Sequence, residues 1–160
     1  MKKQQASLML ILVAAALPAQ AATKPTSPIT AHGKVIFSCT TTNHKPVLVT
    51  EYNNRFRYQF GKAAHPELVF EDDKKAAIAR SPLWAGVGRH IWSNLVLQNG
   101  DYYYTVYTAT DRLTDEHPTE EGVTVSKATT AHYDEATYVT NLRCDPNKAI
   151  VVNFPEALLF

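Results

Sequence analysis

Hydrophobic and polar residues alternate with a period of two through most of the chain after residue 33. Val35, Phe37 and Cys39 interleave with Ile36, Ser38 and Thr40 in a run opened by Gly33. Val47-Leu48-Val49-Thr50-Glu51-Tyr52 follows the breaker Pro46, and Asn53-Asn54 marks a tight turn, because asparagine tolerates positive φ. Phe56, Tyr58 and Phe60 then alternate with Arg55, Arg57 and Gln59, one aromatic face against one polar face. The two runs around Asn53-Asn54 predict a hairpin. Leu68-Val69-Phe70 predicts a short strand, Glu71 to Lys75 a charged turn, and Ala76 to Arg80 one turn of helix stopped by Pro82. Leu83 to Arg89 is a glycine-containing loop. Ile91 to Gln98 and Asp101 to Thr108 flank Asn99-Gly100, a strong two-residue hairpin signal. Asp111 to Gly122 is a polar loop around Pro118. Val123 to Ser126, a segment within Glu135 to Cys144, and Ala149 to Phe154 supply the last strands, and the apolar tail Pro155 to Phe160 is expected to pack down. About eight strands with hairpin-scale connections predict an all-β domain, an antiparallel β-sandwich or a small flattened barrel. No repeat of 20–50 residues is visible, which excludes propellers and solenoids.

The first residues follow a different pattern. Met1-Lys2-Lys3 is positive, Leu8 to Leu17 is an apolar run, and Ala19-Gln20-Ala21 places small residues at the positions that determine cleavage. This is the layout of a secretory signal peptide, too short for a span that needs roughly 20 apolar residues. The expected organisation is a signal peptide over 1–21, a flexible leader over 22–32 and a single β domain over 33–160. The expected compartment is periplasmic or secreted, with no stable membrane insertion after cleavage. The 160-residue chain carries 16 basic and 15 acidic residues. Loss of Lys2 and Lys3 with the signal turns the formal charge from +1 to −1. A near-neutral domain offers no electrostatic footprint for nucleic acid. A hydrophobic content of 45% with 10% aromatics argues against disorder.

Only two cysteines are present, Cys39 and Cys144. An even count in an exported chain points to a disulfide, and two cysteines allow one intramolecular pairing. Closing a loop of roughly 100 residues stabilises by about 4–5 kcal/mol on the chain-entropy model. Neither cysteine lies in a C-x-x-C redox pair or a nucleophile motif.

The sequence carries few motifs of known chemistry. The six histidines are scattered, without H-x-H, H-E-x-x-H or zinc spacing. There is no G-x-S-x-G elbow, and Gly86-Val87-Gly88-Arg89 lacks the G-K-[ST] of a phosphate loop. The adjacent acids Glu71-Asp72-Asp73 and Glu120-Glu121 sit in polar contexts typical of solvated carboxylates. No cofactor and no catalytic residue is therefore expected. Two features suggest recognition instead. The 111–122 loop holds Asp115, Glu116, Glu120 and Glu121, and an acidic projection steers toward a basic partner. In a regular strand Tyr102 and Tyr104 share one face and Tyr103 and Tyr107 the other, so one pair is core and the other is a candidate contact surface.

Four segments carry a family likeness: Phe37-Ser38-Cys39-Thr40-Thr41-Thr42-Asn43, Tyr58-Gln59-Phe60-Gly61, Trp84-Ala85-Gly86-Val87-Gly88-Arg89 and Asn99-Gly100-Asp101-Tyr102-Tyr103-Tyr104. Over roughly residues 37–145 the chain resembles small bacterial periplasmic proteins. Its plan of an exported, disulfide-closed β domain is similar to that of periplasmic inhibitors and immunity proteins. The S-G-x-x-Y segment of the inhibitors of c-type lysozyme is absent. The resemblance implies a binding or inhibitory protein of the immunity type, and the acidic loop adds the expectation that its partner is another protein, a basic envelope-targeting enzyme. Two other readings stay open. One is a hydrolase of envelope polymers with a loop-assembled site. The other is a small-ligand or glycan binder that uses Trp84, Trp92 or the tyrosines as stacking platforms.

Overall fold

The computed structural model describes residues 33–129 and 136–159. The expected signal peptide and leader, residues 1–32, lie outside the described residues, as do residues 130–135 and 160. Among the described residues nine strands form two antiparallel sheets. The first sheet contains β1 (Lys34–Thr40), β2 (Pro46–Tyr52), β3 (Arg55–Lys62), β4 (His65–Asp73) and β9 (Val151–Val152), in the order β4-β3-β2-β1-β9. The second contains β5 (His90–Asn99), β6 (Tyr102–Asp111), β7 (Thr119–Lys127) and β8 (Thr137–Arg143), in sequence order. A helix, α1 (Lys74–Arg80), crosses between the sheets, and a 3-10 turn over Glu156–Leu158 buries Leu158 in the core. The all-β sandwich is as expected, with one strand more, and it is not a closed barrel.

The local turns show how the residues set the register. Asn53 and Asn54 both take positive φ, 49° and 60°, and connect the paired residues Tyr52 and Arg55. The β5–β6 hairpin is present, but its two turn residues are Gly100 and Asp101, one position later than the Asn-Gly motif places them, since Asn99 pairs with Tyr102. Gly100 alone takes positive φ, at 56°, which matches turns that need glycine at the first central position. The charged turn expected over Glu71–Lys75 does not exist. Glu71–Asp73 completes β4, and Asp73 then caps α1 by accepting a hydrogen bond from the Ala76 amide at 2.8 Å. The expected loop over 111–122 also shortens. Thr119–Gly122 belong to β7, so Glu120 and Glu121 are strand residues.

The inward faces of both sheets meet in one core containing Phe37, Val49, Phe56, Tyr58, Leu95, Leu97, Val106 and Val123, with Phe154 from just after β9. Tyr58 and Phe70 of the first sheet pack against Tyr104 of the second, with ring centroids 4.9–5.3 Å apart. Burial pushes the Tyr58 hydroxyl pKa far above the ordinary phenol value, with the Tyr104 hydroxyl adding to the rise.

Two seams hold the layers together. At one, Cys39 and Cys144 form the expected disulfide. Around it the Thr42 amide donates to the Arg143 carbonyl and the Asp145 amide to the Thr40 carbonyl, at 2.9 and 2.8 Å. At the other, β5 ends its sheet, and three of its outer backbone groups, at Val96 and Gln98, are occupied. The Val96 amide donates to Ser81 Oγ and the Gln98 amide to Asp72 Oδ2, both at 2.8 Å, while Arg80 donates to the Val96 carbonyl at 3.0 Å. An unpaired strand edge templates aggregation. Here three side chains of the β4–α1 segment take the place of a neighbouring strand.

Candidate functional site

The loops Pro82–Arg89 and Arg112–Pro118 leave the same end of the second sheet, because His90 pairs with Asp111 where β5 begins and β6 ends. Asp111 is the hub that joins them. It is 6% exposed. Its Oδ2 accepts from Arg89 Nε at 2.7 Å and Nη2 at 2.6 Å, and its Oδ1 accepts from the Leu113 amide at 2.9 Å. The Asp111 amide donates to the Pro118 carbonyl at 3.0 Å, closing the loop at its base. The Leu113 amide foremost, and then the Arg89 guanidinium, hold the Asp111 carboxyl below its usual range, so it is a fixed anion. The loops also touch each other directly. The Arg112 amide donates to the Arg89 carbonyl at 3.1 Å, and the Arg112 guanidinium lies 5.4 Å from the Trp84 ring centre. The Trp84 indole N–H donates to the Val87 carbonyl at 3.0 Å. Gly86 and Gly88 take φ of 80° and 96°, which residues with a side chain rarely adopt, so the glycines permit this loop shape.

This ordered pair of loops displays large aliphatic side chains to solvent. Leu83 is 57% exposed, Val87 72% and Leu113 70%. Asp115 and Glu116 are exposed on the same loop as Leu113, and neither has an ion-pair partner among the described residues. Apolar anchors with a charged rim, held on a rigid base, have the anatomy of a protein interface.

The remaining expected contact residues scatter. Glu120 is exposed on β7, 3.4 Å from Arg143 Nη2, in a solvated pair worth about 0–1 kcal/mol. Glu121 is half-buried on the inward side of β7, opposite Thr108; burial and then the Glu120 charge raise its pKa. The tyrosines obey the expected alternation but form no common surface. Tyr104 is partly buried against the core and Tyr102 stands exposed at the strand start. Tyr103 is 2% exposed, with the Arg80 guanidinium 5.9 Å from its ring centre, and Tyr107 is half-buried. Tyr103 is buried and Tyr104 is partly buried against the core, so neither side chain joins the exposed surface of the two loops. The sequence patterns pointed to Asp115 and Glu116 but missed Leu83, Val87 and Leu113. The available signal was isolated aliphatic residues in polar or glycine-rich segments, outside any strand periodicity. Among the described residues no group of three or more His, Cys, Asp or Glu side chains is placed to hold a metal ion. No helix of the described residues is long and apolar enough to cross a membrane. No protein-family model, no curated protein and no solved structure matches the chain.

Proposed function

We propose that the chain is an exported binding protein of the inhibitory or immunity type, which docks through the Pro82–Arg89 and Arg112–Pro118 loops onto a basic envelope-targeting enzyme. The carrying observation is the exposure of Leu83, Val87 and Leu113 on loops fixed through Asp111 and Arg89. Exposed aliphatic side chains cost little when their loops are already ordered and are then covered by a partner, since less conformational freedom is lost on association. Asp115 and Glu116 supply steering toward a basic surface. The disulfide is compatible with an oxidising compartment, in which the periplasm is the proposed location.

The test is a cross-linked pull-down from envelope extract using the mature chain, a Leu113→Asp variant and an Asp115→Asn/Glu116→Gln variant. Burying a leucine on binding contributes about 1.5–3 kcal/mol, so Leu113→Asp weakens capture at least tenfold. The charge variant slows association and loses its salt dependence. Capture of no protein, or equal capture by all three chains, rejects the proposal. So does failure to protect cells from a toxin-like enzyme encoded beside the protein.

A further inference from the structure

A second surface lies at the base of the loops, on the outward face of the second sheet. It is a concavity of about 330 Å³ lined by residues that include His90, Tyr107, Ala109, Asp111, Glu120 and Asn141. That volume falls at the lower end of the range for ligand sites, about 300–1,000 Å³.

One lining residue is an aromatic ring for which the neighbouring strand makes room. Tyr107 pairs with Gly122 across β6 and β7. A Cβ at position 122 would stand 2.9 Å from the Tyr107 hydroxyl, 3.1 Å from its Cε1 and 2.6 Å from the Leu142 carbonyl oxygen. Glycine therefore lets the ring lie across β7. The hydroxyl reaches β8, where Asn141 Nδ2 donates to it at 3.1 Å. Trp92 is paired with Ala109 in the ladder, which puts a second aromatic residue on this outward face.

Both carboxylates that line the concavity are paired with arginines. The Asp111 carboxylate is neutralised by Arg89 at 2.6 Å, and Glu120 faces Arg143 at 3.4 Å. Glu120 is more than half exposed and keeps acceptor capacity. The Asn141 amide and the His90 imidazole add both donors and acceptors. A strongly cationic or anionic ligand finds no net field to favour it here. A neutral ring with apolar C–H faces and a hydroxylated edge matches both parts of the surface. The geometry points to a binding site for a short neutral saccharide, whose C–H face rests on Tyr107 and whose hydroxyls bond to Glu120, Asn141 and His90. This goes beyond the protein-docking proposal, and its contacting side chains differ from Leu83, Val87, Leu113, Asp115 and Glu116.

The test is a titration of the isotopically labelled mature chain, followed by amide chemical shifts. The neutral probes are chitotriose and maltotriose, and the charged probes are spermidine and citrate. Concentrations run to roughly 10 mM, where weak sites saturate. The expected result is a saturable shift at Tyr107, Gly122 and Asn141 with at least one neutral trisaccharide. Tyr107→Ala and Glu120→Gln each weaken it tenfold or more. Glu120 is solvated, so Glu120→Gln remains folded and reports even if Tyr107→Ala does not. Absence of a saturable shift with either trisaccharide on a folded chain overturns the assignment, as does a response to the charged probes alone. Neither result bears on the protein-docking loops, because no protein partner enters the measurement.

Discussion

Replacing both half-cystines by alanine tests how much of the scaffold depends on covalent closure. The bond joins residues 105 apart, which on the chain-entropy model corresponds to about 4.8 kcal/mol at 25 °C. Cys39 and Cys144 are 4% and 7% exposed, so removing their sulfurs also leaves small voids that destabilise in the same direction. Domains of this size are stable by about 5–15 kcal/mol, so the loss takes a third or more of the total. Urea unfolding of the wild-type and Cys39→Ala/Cys144→Ala chains measures it. The variant midpoint falls by about 2–4 M for ordinary urea slopes, and its slope rises because the uncrosslinked unfolded chain exposes more surface. A loss under about 1 kcal/mol with an unchanged slope refutes the reasoning, provided alkylation and mass spectrometry show the wild-type sulfurs paired. It would mean that the unfolded chain already holds its ends together.

Three further outcomes follow from particular contacts. Ser81→Ala leaves the buried Val96 amide without its acceptor and costs about 1–3 kcal/mol in thermal or chemical unfolding, with more aggregation through the exposed β5 edge. Gly122→Ala forces the new methyl against the Leu142 carbonyl and the Tyr107 ring, costing about 1–3 kcal/mol and perturbing the Asn141 amide resonances. Stability against pH carries two opposite signatures. Asp111 has a lowered folded pKa, so its contribution is present above the ordinary carboxylate range and is lost as pH falls through and below it; Asp111→Asn flattens that acid limb. Glu121 has a raised folded pKa, so ionisation as pH rises through and above about 4.5 lowers stability, and Glu121→Gln removes that decline.

Legibility from sequence followed the range of the interactions. The strand pattern of Phe56, Tyr58 and Phe60 and the positive-φ turn at Asn53-Asn54 are local, and both appear in the structure. The cysteine pairing was readable because only one partner existed. Glu71–Lys75 misleads as a charged turn because its charges have distant partners: Asp72 meets Arg80 and the Gln98 amide, and Asp73 caps a helix. Glu120 and Glu121 read as loop because acids are poor strand formers, yet pairing with Ala109 and Thr108 on β6 places them in the ladder. Composition alone showed an acidic loop. The Asp111–Arg89 hub and the exposed aliphatic residues emerged only when residues 22 positions apart met at one end of a sheet.

Recognition by a preformed pair of loops requires that their backbone be ordered before any partner arrives, and amide hydrogen exchange measures this on the free, oxidised chain. The Asp111, Arg112 and Leu113 amides donate to the Pro118 carbonyl, the Arg89 carbonyl and the Asp111 carboxylate. They should exchange at least a hundredfold more slowly than unstructured peptide, on the order of 3 kcal/mol of local opening energy. Exchange of all three at the unstructured rate would contradict a prebuilt docking surface.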